Sequence, residues 1–536
     1  MIALVGCTGT ILRGESGEPC LDMANQAPAA PLIENPTANR IDVIAEQLTI
    51  SLSAFSDPDE SDTHAASEFE IWLAPSGAPV VRVWQATIEA ADNLSTDKLT
   101  AVALADGVFD SGSTGLERWT NHIVRARYRD ASGTCTAWSE WSEARAFRTD
   151  DGSSYLFEPQ RIHTFHLDIP PESWDAIDAE ARPPDCVPYK RNSYRGTLRF
   201  EDQVFENVGI RAKGGCGSSR HLNGKSAFKV NLSWDDPEEP GCPETRRLHG
   251  LKRFTFNNLV QDSTFMHETL GYMFYKRMGV PTPRTSYTRL YVNDQFWGMY
   301  LHVESLDRRF AARWFESNDG MMYEGTYWCD LIPDKIPPDT DGLYCFSRKF
   351  GTSACSTPSD YNLLAELIQA IDALPDGQFY PEIEQFFEFD TLLSSWAVDS
   401  IMAHWDGYEF RIMNNYRVYY DPGTSRWTLI PTGIDQTFKG DLEPFNVDGI
   451  LARRCVQEAD CEKAFADKLS QAIAIFEEMS LARRSEELRA QIMEHVMEDP
   501  RKEVGYNGFM SRVDTMLQWI DDRPARMRQH LRDRGF

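Results

Sequence analysis

The chain has 536 residues, 42% hydrophobic and 12% aromatic, which is enough apolar material for two or three domains with separate cores. Its formal net charge of -28, with a pI of about 4.8, excludes the basic surface that nucleic-acid phosphates require, so no nucleic-acid partner is expected. No apolar run approaches the ~18 residues of a transmembrane span.

Eleven cysteines are more than a reduced cytosolic enzyme needs. No pair of CxxC elements has zinc-site spacing, and Cys216, Cys242, Cys329, Cys345 and Cys355 fall in loops rich in Gly, Pro and Asp. That distribution predicts scattered disulfides and an exported protein, in the bacterial cell envelope or outside the cell. Leu4-Val5-Gly6-Cys7 resembles a bacterial lipobox, and a lipid anchor on Cys7 would leave an even number of cysteines to pair. The residues before Cys7 lack the basic and apolar regions of a signal peptide, so a chance match stands beside the anchor.

Residues 8–34 are rich in Gly, Pro, Ala and Asn and read as a tether, making 1–34 an export and tether segment. From 35 to 150, strand-length pieces such as SEFEIWLA, VVRVWQAT, HIVRARYRD and ARAFRT alternate with turn-rich loops and predict an all-β domain. Arg125, Arg127 and Arg129 share one face of the third piece, and Trp138-Ser-Glu-Trp141-Ser follows. These features resemble the WSxWS element of fibronectin type III domains, in which Trp rings and guanidiniums stack. The resemblance implies a β-sandwich that serves as a spacer or contacts surface proteins or polysaccharide. Asp57, Asp59 and Asp62 offer calcium-type ligands, with a solvated acidic loop the preferred reading.

Beyond a short junction, strands are expected at His163–Ile169, Tyr194–Phe200, Val208–Ala212 and Ala227–Leu232. Between the last two, Lys213-Gly214-Gly215-Cys216-Gly217-Ser218-Ser219 permits close backbone approach to a ligand, or forms a structural hairpin; the Walker A spacing is absent. Lys225 and Lys229 follow, either able to point at a phosphate or into solvent. Ser263 is the expected N-cap of a helix with Glu268 one turn in, where it can pair with a strand lysine or face solvent. Gly279, Pro281 and Pro283 end that helix. Strands Thr285–Val292 and Phe296–Val303 come next, and Glu304 directly after them. Residues 309–360 read as a long irregular insertion stapled by Cys329, Cys345 and Cys355. Helices are expected at 360–373, 380–404, 447–453, 461–476, 479–497 and 506–532, with Cys455 and Cys461 bracketing a loop short enough for a local disulfide.

The stretch 401–440 carries the chemistry. Asp406 lies in a loop, a hairpin spans Tyr416–Tyr420 and Trp427–Ile430 around a turn begun by Asp421, and Asp435 lies in a second loop. Two acids and an Asn at the ends of a hairpin can converge on one cleft. Phosphoryl transfer needs that set: one carboxylate for the hydroxyl, and an Asn and an Asp for Mg²⁺. No GxSxG or HExxH motif supports a hydrolase.

Several motifs occur in order over residues 160–532: Val208-Gly-Ile-Arg211-Ala-Lys213-Gly-Gly-Cys-Gly-Ser-Ser219; Lys225-Ser-Ala-Phe-Lys229-Val; Asp262-Ser-Thr-Phe-Met-His-Glu268; Gly279-Val-Pro-Thr-Pro-Arg284 through Glu304; His404-Trp-Asp406; Asn414-Asn415-Tyr416; and Ile434-Asp435-Gln-Thr-Phe438. Together they resemble the spore coat protein H (CotH) kinase family, an atypical group with a protein-kinase-like α+β fold and a helical C-terminal lobe. The resemblance implies a multidomain protein, with the β-sandwich followed by a kinase domain at 155–536. It implies ATP- and Mg²⁺- (or Mn²⁺-) dependent phosphorylation of Ser or Thr on exported or surface proteins. In that role Asp406 handles the substrate hydroxyl, and Asp435 holds the metal with Asn415 or its rival Asn414. Lys225 or Lys229 contacts the phosphates and Glu268 orients it. Arg211, Lys213, Gly214, Gly215 and Glu304 complete the nucleotide site. Three departures keep open a weak or inactive kinase-like surface or structural binding protein. Gly215-Cys216 stands where the family has Asn, Gly433 stands where a first acid is expected, and Asn415 lies farther from Asp406 than in ordinary kinases.

Overall fold

A computed structural model of the protein describes residues 25–38, 40–74, 78–90, 99–110, 115–117, 119–132, 137–182, 189–234, 246–336, 345–350 and 361–536. The Cys7 lipobox, most of the expected tether, Cys242 and Cys355 lie outside the described residues. Contacts divide the chain into two units, Met1–Tyr155 and Leu156–Phe536. Among the described residues no helix is long and apolar enough to cross a membrane.

The first unit is β-rich. A six-stranded sheet runs in the order Arg40–Ile44, Arg145–Asp150, Asn121–Asp130, His64–Leu73, Val81–Glu89, Val108–Phe109, and a second sheet joins Ile33–Asn35, Thr49–Leu52 and Ala101–Ala103. Period-2 alternation sends Val124, Ala126 and Tyr128 into a core shared with Ile50, Leu52 and Val102 of the smaller sheet. The opposite face carries the expected ladder. Arg125 lies 4.3 Å from the Trp141 ring, Arg127 lies 4.6 Å from both Trp138 and Trp141, and Arg129 lies 5.2 Å from Trp138. Glu70 and Glu68 pair with Arg125 and Arg127 at 2.7 and 2.5 Å. Asp57, Asp59 and Asp62 cluster in this unit, with carboxylate oxygens within 4.8 Å of one another.

The second unit begins with a closed barrel in the order His163–Asp168, Tyr194–Phe200, Gln203–Lys213, Ala227–Asn231, Arg253–Asn257, Gln295–Val303, Thr285–Val292. All neighbours are antiparallel except the closing pair of His163–Asp168 with Thr285–Val292. Closure leaves no unpaired strand edge. Helix His267–Arg277 follows the fifth strand in sequence. Its capping group is the Asp262 carboxylate, which accepts from His267 N at 2.7 Å, rather than the expected Ser263.

The segment 309–360 departs from the expected irregular insertion. Helix Arg308–Trp314 starts on an Asp307 cap, and strands Met321–Gly325 and Phe346–Phe350 belong to a four-stranded sheet with the hairpin strands Tyr416–Asp421 and Arg426–Pro431. Met321, Met322 and Tyr323 are buried, and this apolar run pairs along the hairpin instead of looping in solvent. The expected staple is present as Cys329–Cys345, and Cys455 pairs with Cys461. Asp421 is a turn acid, accepting from Gly423 N at 2.8 Å and Glu316 N at 3.0 Å.

The rest is helical: Asn362–Ala373, Phe379–Ile383, Phe389–Met402, Ile450–Cys455, Ala459–Glu478, Leu481–Glu498 and Tyr506–Arg534. The single helix expected over 380–404 is broken, because Glu388 N donates to Trp427 O at 2.7 Å and Trp427 N to Phe386 O at 2.9 Å. A bridge to the hairpin therefore replaces one helical turn. Helix Phe389–Met402 is buried nearly all round, and its Trp396 stacks on Phe465 with ring centroids 3.5 Å apart. Each such aromatic burial stabilises the helical region by about 1.5–3 kcal/mol.

Candidate active site

Strand parity builds one wall of a cavity of about 550 Å³. Gly209, Arg211 and Lys213 share a face of one strand, Lys229 and Asn231 a face of the next, and Arg253, Thr255 and Asn257 a face of the third. Arg211 sits opposite Lys229 in register. The facing wall comes from Glu268 and Tyr272 on helix His267–Arg277, Glu324, Lys349 and Arg417 on the second sheet, and Asn415, Thr432 and Gly433 at the hairpin ends. Glu304 and Asp307 also line it.

Like charges crowd this space. Burial, then Arg211, drives the Lys229 ammonium well below the ordinary lysine range, with Glu324 opposing. Burial raises the Glu324 carboxyl, but Lys349 and Arg417 outweigh it and hold the group ionised far below its ordinary range. Lys213 Nζ donates to Asn257 Oδ1, and Asn257 Nδ2 donates to both Glu268 oxygens at 2.9 and 2.6 Å. Burial and the nearby Asp435 push the Glu268 carboxyl up to about 7, against the pull of Lys213.

Lys213, relayed by Asn257, is therefore the lysine that meets Glu268. Lys225 is not in this cavity. It precedes its strand, is 2% exposed, and forms a buried ion pair with Asp499 beside the Phe265 and Tyr300 rings. Glu304 is engaged by Arg284 at 2.7 Å and also by Arg313. These guanidiniums outweigh its burial and bring its carboxyl down to about 2. Gly214 adopts φ +115°, where a side chain would be strained, and Gly215 N donates to Ser218 Oγ at 3.1 Å, closing a tight turn. Cys216 in that turn is disulfide-bonded.

The acids adjoin the cavity at the hairpin end. Asp435 is placed by the helix: His267 Nδ1 donates to its carbonyl at 2.8 Å, and Gly271 leaves room for Ile434, whose Cδ1 lies 2.5 Å from where a Cβ would be. Burial raises the Asp435 carboxyl, opposed by Lys213 and reinforced by Asp406. Asp406 Oδ2 accepts from Asn415 Nδ2 at 2.8 Å. Asn415 Oδ1 turns to Gly433, where a Cβ would lie 2.4 Å from that oxygen. Gly433 has φ +60°, so the amide occupies the space of the acid that the family resemblance places there. Asn414 is buried and its side chain is bonded to Tyr327, whose hydroxyl would be 3.4 Å from a Cβ on Gly215.

Several residues of this site escaped the sequence reading. Asn257, Glu324, Lys349, Arg417 and Tyr327 carry no local motif. His404 does carry a signal, since it stands two residues before Asp406 as in the HRD element of ordinary kinases. Its fully buried ring lies between Asp399 and Asp406.

The cavity is thus lined by cations and acids together, and Asp406 reaches it through its bond to the lining Asn415. The family follows from the sequence. The model of the CotH kinase protein family matches residues 210–527, more than half of the chain, and the chain belongs to that family. Inner spore coat protein H of Bacillus subtilis is 22% identical over 301 residues, covering 54% of this chain and 81% of that protein. Invasin CotH2 of Rhizopus delemar is 23% identical over 331 residues, covering 55% of this chain and 52% of the invasin. Invasin CotH3 of the same organism is 22% identical over 328 residues, with 56% and 51% covered, so the chain spans about half the length of the invasins. A HipA–HipB–operator complex of Shewanella oneidensis matches at 11% identity and a TM-score of 0.26, covering 53% of this chain and 61% of that one, a score too low to establish a shared fold.

Proposed function

We propose that the protein is an atypical kinase that transfers the terminal phosphoryl group of ATP to Ser or Thr hydroxyls of exported or surface proteins. The observation that carries this reading is the Asp406–Asn415 pair, with Asn415 Oδ1 beside Gly433 and Asp435 two residues on, at the end of a cavity walled by Arg211, Lys213 and Lys229. The donor set suits the ligands: Asp435 and Asn415 offer hard oxygens of the kind Mg²⁺ or Mn²⁺ takes, and the three cations offer charge for a triphosphate. Bound there, the metal neutralises phosphate charge. Lys213 and Lys229 draw the phosphates against the barrel wall, the turn at Gly214 and Gly215 allows close backbone approach, and Glu268 steadies Lys213 through Asn257. Asp406 holds the acceptor hydroxyl and takes its proton as the oxygen bonds to the terminal phosphorus. The bond from that phosphorus to the bridging oxygen breaks, and ADP leaves. Orientation and charge stabilisation supply most of the rate.

Residues 35–150 fit a fibronectin III-like module for surface protein or polysaccharide contact, and an envelope or extracellular location matches the disulfides. A second reading, a weak or inactive kinase-like surface protein, is favoured by Gly433, by Gly215-Cys216 in the glycine-rich turn and by the wide spacing of Asn415 from Asp406. Isothermal titration of the oxidised full chain with ATP, with and without Mg²⁺, separates them. Metal-dependent binding in the wild type and its loss in Asp435→Ala are expected, together with radiolabel transfer from the terminal phosphate. Absence of binding in both proteins selects the second reading.

A further inference from the structure

His404 is fully buried, and both of its ring nitrogens face carboxylates: Nδ1 is 2.5 Å from Asp399 Oδ1, and Nε2 is 3.3 Å from Asp406 Oδ1. Two acceptors can be satisfied only by a ring that carries a proton on each nitrogen. Among the described residues, Asp406 Oδ1 and His404 Nε2 are buried atoms without a hydrogen-bond partner, and the 3.3 Å ion-pair contact between them is what each faces. Asp406 Oδ2 is bonded to Asn415. One oxygen of the acid is thus held from the core and the other from the cavity side. Behind the ring, Asp399 accepts from the Tyr275 hydroxyl, and the buried Glu409 carboxyl lies against it. Burial alone would lower the His404 pKa, yet Asp399 and Asp406 lift it to about 10, which keeps the ring charged at neutral pH.

We propose that His404 is a positioning residue for phosphoryl transfer, an imidazolium clamped by Asp399 that fixes the orientation of Asp406. The proposal rests on the kinase reading above. Without the clamp, a carboxylate oxygen is left buried and unpaired, and the acid turns away from the acceptor hydroxyl.

The test compares wild type, His404→Leu and His404→Gln as oxidised full-length proteins, using Mg-ATP as probe. His404→Leu is expected to lower kcat about 10–100-fold, in the range of orienting groups, with KM and Kd for Mg-ATP within about twofold of wild type. His404→Gln restores a donor towards Asp406 and should recover part of kcat. An unchanged kcat in His404→Leu, or equal losses of Mg-ATP affinity and kcat, overturns the proposal. If His404→Leu does not fold, His404→Gln and ¹⁵N NMR of the wild-type imidazole decide it, because the clamp requires both ring nitrogens protonated at pH 7 and a neutral ring refutes it. Wild type that neither binds Mg-ATP nor transfers phosphate refutes the kinase reading itself, a result distinct from a neutral ring.

Discussion

Lys225 and Lys229 sit one helical turn's length apart in sequence but in different environments. The Lys225–Asp499 pair is desolvated, with side chains 1% and 0% exposed, so removing one partner strands a buried charge. Lys225→Met is therefore expected to destabilise the fold by about 3–5 kcal/mol, read by denaturant unfolding. Lys229→Met should leave stability unchanged or higher, since it removes an ammonium beside Arg211, Lys213 and Arg417, while weakening Mg-ATP affinity about tenfold or more in titration. A reversed pattern would exchange their roles. Gly433→Ala places a Cβ 2.4 Å from Asn415 Oδ1 at a positive φ, and a loss of about 1–3 kcal/mol with weaker Mg²⁺-dependent binding is expected. At this scale the acids of 401–440 were legible as loop residues around a hairpin. The choice between the lysines was not, because both fit the same strand-like run and only Asp499, far along the chain, separates them.

Among the elements, two buried clusters give stability opposite dependences on pH. Glu304 ties the end of strand Gln295–Val303 to Arg284 and to Arg313 of helix Arg308–Trp314. Its folded pKa of about 2 lies below the ordinary 4.5, so its contribution is complete above pH ~4.5 and is lost as pH falls towards 2, roughly 3 kcal/mol in all. His404, at the end of helix Phe389–Met402, has a folded pKa of about 10 against 6.5, so its contribution is complete below pH ~6.5 and disappears as pH rises towards 10. Glu304→Gln should flatten the acid limb of a thermal-unfolding profile and His404→Gln the alkaline limb; a limb unmoved by its substitution contradicts the assignment. The long helices and the hairpin followed from periodicity and turn residues. The break at Phe387-Glu388 and the strand Met321–Gly325 did not, because both are set by pairing with the hairpin.

For the molecule as a whole, an acidic chain lines one cavity with six of its 54 Lys and Arg residues, the charge that the proposed polyanionic substrate needs. The fibronectin III-like and kinase readings arose from ordered short motifs, and membership in the CotH kinase family agrees with the latter. By itself the sequence determined the local pieces of this protein: the alternating strands with their Arg–Trp face, the amphipathic helices, the turn chemistry, and the two acids flanking a hairpin. Those follow from propensity and period, which act over a few residues. Only the tertiary structure decided that the barrel closes, that Lys213 and Lys229 rather than Lys225 face the cavity, that Asn415 occupies the space at Gly433, and that Asp399 and His404 stand behind Asp406. Those depend on which buried charges find partners distant in sequence, and no local pattern encodes such pairings.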